Sequence, residues 1–160
     1  MSDIEGGRHM KIISRSFAFA LLGCAACISL SSAAQAARFQ QYLNGACGGI
    51  NVCTINFAVV PAGKTLDVSN FSCYLRVSGA ADVYALQLLQ IRAGGSIGNA
   101  VTADLHQVDT ISGPPSERVY QSNDTVFAFA TAGQRFRAYA ELRAGTFSQF
   151  ACHISGQISP

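Results

Sequence analysis

The chain has 160 residues, of which 49% are hydrophobic and 12% charged, and its formal net charge is +2. This length suits one domain with room for a true core, and so weak a basic balance gives no electrostatic footprint for a nucleic-acid or other polyanionic partner. Ordinary globular chains carry about 25% charged residues, so the surface is expected to be apolar enough to meet another chain.

Lys11 and Arg15 precede an apolar run, Phe17 to Leu30, that closes on Ala34-Gln35-Ala36. Positive flank, apolar run and small-residue cleavage site, in that order, mark a secretory signal peptide, here Met10 to Ala36. The apolar run is too short to span a membrane. Residues 1–9 read as a tag or upstream extension and are set aside. Leu21-Leu22-Gly23-Cys24 also fits a lipoprotein cleavage box that would leave Cys24 lipid-anchored, but the apolar stretch runs on through Ile28 and Leu30, which favours cleavage after Ala36. The expectation is one domain over 37–160, exported to periplasm or medium, with no transmembrane segment. From Ala37 onward the chain holds eight Arg or Lys and seven Asp or Glu, and Lys64 is its one lysine.

Cys24 and Cys27 belong to the leader, which leaves Cys47, Cys53, Cys73 and Cys152. An even number in an exported chain implies two disulfides in one of three connectivities. Cys73 shares a strand face with Phe71, Leu75 and Val77, and Cys152 shares one with Phe150 and Ile154, so both sulfurs point inward. Cys47 and Cys53 bracket a loop able to close on itself. The preferred pairing is Cys47–Cys53 with Cys73–Cys152. Zinc is disfavoured because no Cys-x-x-Cys survives the leader.

The periodicity from Val52 onward is two, with turn residues at short intervals, which predicts an all-β domain. Residues 37–44 form an arm or an extra strand. Cys53, Ile55, Phe57 and Val59 face inward up to Pro61-Ala62-Gly63. Leu66 and Val68 hold one parity while Phe71, Cys73, Leu75 and Val77 hold the other, so a bulge or bend is expected at Ser69-Asn70. Val83 to Ile91 is apolar at both parities, as in a strand covered on both faces. Gly94-Gly95-Ser96-Ile97-Gly98 turns the chain into Val101, Ala103 and Leu105, and Gly113-Pro114-Pro115 makes a second loop. Short strands at Arg118–Gln121 and Thr125–Ala130 flank an expected Ser122-Asn123-Asp124 turn. Phe136, Ala138, Ala140 and Leu142 face inward, and Phe147–Ile158 closes the domain. About eight strands in this length predict a two-sheet antiparallel β-sandwich or jelly roll stapled by disulfides.

Val60-Pro61-Ala62-Gly63-Lys64-Thr65-Leu66, Val68-Ser69-Asn70-Phe71-Ser72-Cys73 and Cys152-His153-Ile154-Ser155-Gly156 resemble small, uncharacterised exported β-sandwich proteins of proteobacteria. The resemblance implies a compartment and a fold, and no functional residue.

Arg135, Arg137, Tyr139, Glu141 and Arg143 form one row on a strand face. Guanidinium groups beside an aromatic ring can recognise carboxylates, phosphates or sugar acids, and they also make an ordinary solvated face. Tyr84 or Tyr120 can join them where the fold brings them near. Asp104 and His106 lie two apart on a strand and can share a proton or a metal, although the sequence nominates no third ligand. His153 stands at outward parity. No Gly-x-Ser-x-Gly elbow anchors a hydrolase, and no cofactor motif is present.

The function expected from these features is that of an exported non-catalytic module, which binds a protein or glycan partner in the envelope or self-associates. The absence of Trp removes one sugar-stacking platform. The alternatives are a small periplasmic enzyme or metal-binding protein centred on Asp104 and His106, and an inhibitor of an envelope hydrolase.

Overall fold

A computed structural model describes residues 36–45, Cys47 and residues 51–160. The tag, the leader up to Gln35 and the alternative lipid-anchor position Cys24 lie outside the described residues. Seven strands follow in order, with no helix among the described residues: β1 (Ala37–Gly45), β2 (Val52–Asn56), β3 (Thr65–Ile91), β4 (Ile97–Thr102), β5 (His106–Ile111), β6 (Glu117–Thr131) and β7 (Arg135–Ser159). The segment expected as arm or strand at residues 37–44 is a strand.

Two long strands organise everything else. β3 and β7 pair antiparallel from Thr65 opposite Ser159 to Ile91 opposite Arg135. Over one half of this ribbon the order is β1-β7-β3-β6-β5, and over the other β2 flanks β7 while β4 flanks β3. All pairings are antiparallel and belong to one sheet, curled into a half-barrel. The all-β, antiparallel, disulfide-stapled expectation is therefore met, whereas the division into two separate sheets gives way to one sheet whose long strands serve both halves.

The bend between the halves has a backbone cause. Gly79 (φ 86°) and Gly145 (φ 89°) occupy the left-handed region, where a side chain would strain the backbone. They sit face to face, since a Cβ on Gly79 would lie 3.7 Å from the Gly145 Cα. Register shifts between Ser78 and Ala85 concentrate the turn there. A second irregularity falls between Val68 and Asn70 against both neighbouring strands, where the parity of the sequence changes. Gly156 permits it: a Cβ there would lie 1.9 Å from the Asp67 carbonyl oxygen.

The concave side is the core. Leu66, Val68, Phe71, Leu75 and Val77 from β3 meet Phe136, Leu142, Phe147, Phe150 and Ile154 from β7, all buried. Each such side chain contributes about 1.5–3 kcal/mol by leaving water. Cys73 and Cys152 stand directly opposite in register and are disulfide-bonded, with Cα atoms 4.1 Å apart. Cys47–Cys53 ties down the connection from β1 to β2. Both bridges match the expected pairing, the long one from strand parity and the short one from the loop it closes.

Three details differ from the expectation. Ser122-Asn123-Asp124 is not a turn: the Ser122 hydroxyl oxygen accepts from the Cys73 N–H at 3.1 Å and Asn123 Oδ1 accepts from Asn70 Nδ2 at 3.0 Å. With these groups satisfied by the neighbouring strand, β6 runs straight through. Val59 is 51% exposed because β2 ends at Asn56, and Val60, at 3%, takes the inward place. Asp104 lies in the connection between β4 and β5 rather than on a strand with His106.

The free sides of β4 and β6 are joined by one side chain rather than by a backbone ladder. Gln90, nearly buried, donates from Nε2 to the Phe129 carbonyl at 2.9 Å and to Gln134 Oε1 at 2.8 Å, and its Oε1 accepts from the Asn99 N–H at 3.3 Å. Gly98 makes room for it, since a Cβ there would lie 2.5 Å from Gln90 Oε1.

Candidate binding face

Strand alternation places the core residues of the β1-β7-β3-β6 half on the concave side and their neighbours on the convex side. Register then aligns those neighbours in rows. One row is Tyr42, His153, Ser72 and Asn123; the next is Asn44, Ala151, Tyr74 and Gln121, with His106 of β5 beyond it. On the other side runs Gln40, Ser155 and Asn70. None of these residues is Asp, Glu, Lys or Arg, so these rows offer hydroxyl, amide, imidazole and phenol groups and no fixed charge, with Arg76, ion-paired to Glu117, at the same parity beyond Tyr74. The row Arg38, Gln157, Asp67 and Phe129 bounds it.

Three shallow depressions lie on this convex face. The largest, about 410 Å³, is lined by Asp67, Val68, Ser69, Gln157 and the β6 segment Phe127-Ala128-Phe129. A second, about 270 Å³, lies between Arg38, Gln40, Ser155 and Gly156. The third, about 260 Å³, sits over Ala151 and Ser72 between Tyr42, Tyr74, His153, Gln121 and Asn123.

β6 gives the face its apolar end. Its inward residues Val126 and Ala130 are buried, and alternation therefore turns Phe127 and Phe129 out, 92% and 55% exposed. β5 pairs β6 only as far as Gln121, so from Ser122 to Ala128 this strand has β3 on one side and, among the described residues, no hydrogen-bonded strand on the other. An unpaired edge with outward aromatics and no lysine or proline is a template for association.

The arginine row lies on the other half, and the structure turns it upon itself. Leu89 and Ile91 have outward parity yet are 5% and 2% exposed, directly across from Arg137 and Arg135, which are half-buried. The long arginine stems supply cover for this apolar strand. Arg137 Nε donates to Asn56 Oδ1 at 2.8 Å. The Tyr139 hydroxyl donates to Glu141 Oε2 at 2.7 Å, a bond that, with burial, holds the phenol above its usual range. The Arg143 guanidinium lies 4.5 Å from the centre of the Tyr84 ring. Tyr84 thus joins the row, whereas Tyr120 lies on β6, in the other half, against the core.

The remaining candidates are dispersed. Asp104 and His106 are both exposed, and His106 opens β5 opposite Gln121. No group of three or more His, Cys, Asp or Glu with metal-binding arrangement occurs among the described residues. Glu117, at the start of β6, is bound to Ser148 and Arg76; chiefly the Ser148 bond, with Arg76 added, holds its carboxyl below the usual carboxylate range against the opposing effect of burial. His153 pairs in register with Tyr42 on one side and Ser72 on the other.

Sequence reasoning missed Tyr42, Ser72, Tyr74, Gln121 and Asn123 as neighbours. A signal was present, because each lies at outward parity in an uncharged stretch, but only the register across four strands makes them one surface. Neither a family model nor a curated protein matches the chain.

Proposed function

We propose that this chain is an exported, non-catalytic β module that works by self-association, pairing two copies along the open edge of β6. The observation that carries this reading is Phe127, 92% exposed on a strand segment with, among the described residues, no hydrogen-bonded strand on its outer side. A second copy suits this edge. Antiparallel pairing of Ser122–Ala128 with itself about a two-fold axis brings together backbone donors and acceptors and aromatic side chains. Asp124, the segment's one charge, lies opposite the core residue Phe71 and is half-buried, away from the outer row. The two disulfides suit an oxidising compartment, and the leader expected at residues 10–36 would deliver the chain there. The resemblance to small exported proteins of proteobacteria points the same way.

The test is the mass of the exported protein in solution by light scattering across a wide concentration range, beside a Phe127→Asp variant. The expected outcome is a dimer that the variant converts to monomer with its circular dichroism and disulfides intact. A monomer at all concentrations, or an assembly indifferent to Phe127→Asp, overturns the reading.

A further inference from the structure

We infer that the trough over Ala151 is a binding site for an uncharged glycan, laid across β1, β7, β3 and β6. It is a site of its own on the convex face, separate from the β6 edge, and it names one class of ligand for an exported binding module.

Shape, chemistry and charge converge on this ligand class. Ala151 forms a small floor, 1% exposed, and Tyr42, 63% exposed, stands two strands from Tyr74. With strands about 4.8 Å apart and a rise of about 3.4 Å per residue, the backbone positions that carry the two phenols are roughly 12 Å apart, a span longer than one sugar ring. Each offers an apolar ring face for the C–H side of a sugar and a hydroxyl at its tip. His153 and Ser72 lie between them, and Gln121 and Asn123 of β6 border Tyr74 and Ser72 on the far side; all four can both donate to and accept from hydroxyl groups.

The absence of charge decides among ligands. No Lys or Arg lines this trough, so phosphates, carboxylates and sugar acids would be desolvated without a partner. No Asp or Glu lines it either, so a cation gains nothing. A protein partner would look for a deep apolar anchor pocket, and the trough has amides and hydroxyls in that place. At about 260 Å³ it is smaller than the roughly 300–1,000 Å³ clefts that enclose small ligands. An open trough of this size accepts part of an extended chain lying on the sheet.

The experiment is affinity electrophoresis of the exported protein in gels containing one of three soluble neutral polysaccharides, a β-glucan, a mannan or a galactan, with alginate as the polyanionic control. The expected result is retardation by at least one neutral polymer, unchanged between low and high salt because no ion pair takes part. Tyr74→Ala should weaken it at least tenfold, and Gln121→Ala should weaken it with the outward ring faces left in place. Measured against the same protein in a polymer-free gel, Phe127→Asp should still be retarded, more weakly only through the loss of dimer avidity, and its residual retardation should be abolished by adding Tyr74→Ala, which separates this site from the proposed dimer edge. Retardation by none of the three neutral polymers, retardation by alginate alone, or retardation equal in wild type and Tyr74→Ala with its disulfides intact would each overturn the inference.

Discussion

The two halves of the β3–β7 ribbon share their strands and differ in what they do with the outward side. In the half formed by Asp82–Ile91 and Arg135–Ala144, much of the outward side is engaged with its own residues: Leu89 and Ile91 are buried opposite arginines, Tyr139 holds Glu141, and Arg143 stacks on Tyr84, which stays 58% exposed. In the half formed by Thr65–Ser78 and Thr146–Ser159, the outward side carries uncharged polar rows, three depressions and two exposed phenylalanines. The charged row that stands out in the sequence is thus tied to its own neighbours at Arg137, Tyr139 and Arg143. The half with the uncharged rows carries both surfaces proposed above for partners.

The strongest way to break this comparison is to untie the open half. Cys73–Cys152 lies within it and closes a separation of 79 residues, so the chain-entropy account gives it about 4 kcal/mol, against about 2 kcal/mol for the short Cys47–Cys53 loop. A Cys73→Ala/Cys152→Ala double variant should lose about that amount in urea unfolding. Hydrogen exchange should show protection falling more at Phe71–Val77 than at Leu86–Ile91. An equal loss at both would mean that the two halves unfold as one unit and differ only at their surfaces.

The next effect is smaller and concerns the join between the halves. Gln90→Leu keeps the volume near that of the buried side chain but leaves the Phe129 carbonyl and the Asn99 N–H without their partner. The expected cost is about 1–3 kcal/mol, with exchange of the Asn99 amide accelerated more than that of the interior ladder. A neutral outcome would show that the β4 and β6 edges need no clasp.

Local rules carried much of this architecture into the sequence. The parity flip at Ser69-Asn70 marked the irregularity, and inward parity at Cys73 and Cys152 selected the long disulfide, because both depend only on alternation along a strand. What alternation cannot express is which strands are neighbours and where one strand ends. Ser122-Asn123-Asp124 has turn composition, and only Asn70 and Cys73 across the ladder make it strand. Asp104 and His106 share parity, and only the end of β4 at Thr102 separates them. The trough is the extreme case. Tyr42, Ser72, Tyr74, Gln121 and His153 come from four strands, so no window of sequence contains the site. The glycine pair at the bend is likewise invisible locally, since Gly79 and Gly145 acquire meaning by facing each other.

The smallest expected effect probes the corner itself. Glu117 binds the Arg76 side chain and the hydroxyl of Ser148, which is the residue skipped where Arg76 pairs with Gln149 and Val77 with Phe147. Bonds to the ionised form lower its pKa in the folded state, so the folded chain releases this proton more readily than the unfolded one. The stabilisation from these bonds is present above the usual carboxylate range and is lost as pH falls through the lowered value. Thermal unfolding should show the gap between wild type and Glu117→Gln narrowing as pH drops through the acid range, with no change of the gap near neutrality. Because Arg76 and Ser148 stand on β3 and β7 beside the bend, the same titration should leave the closed half untouched: the exchange rates of Leu86–Ile91 stay level while those of Ser78 and Thr146 rise. A gap independent of pH would assign Glu117 no part in holding the corner.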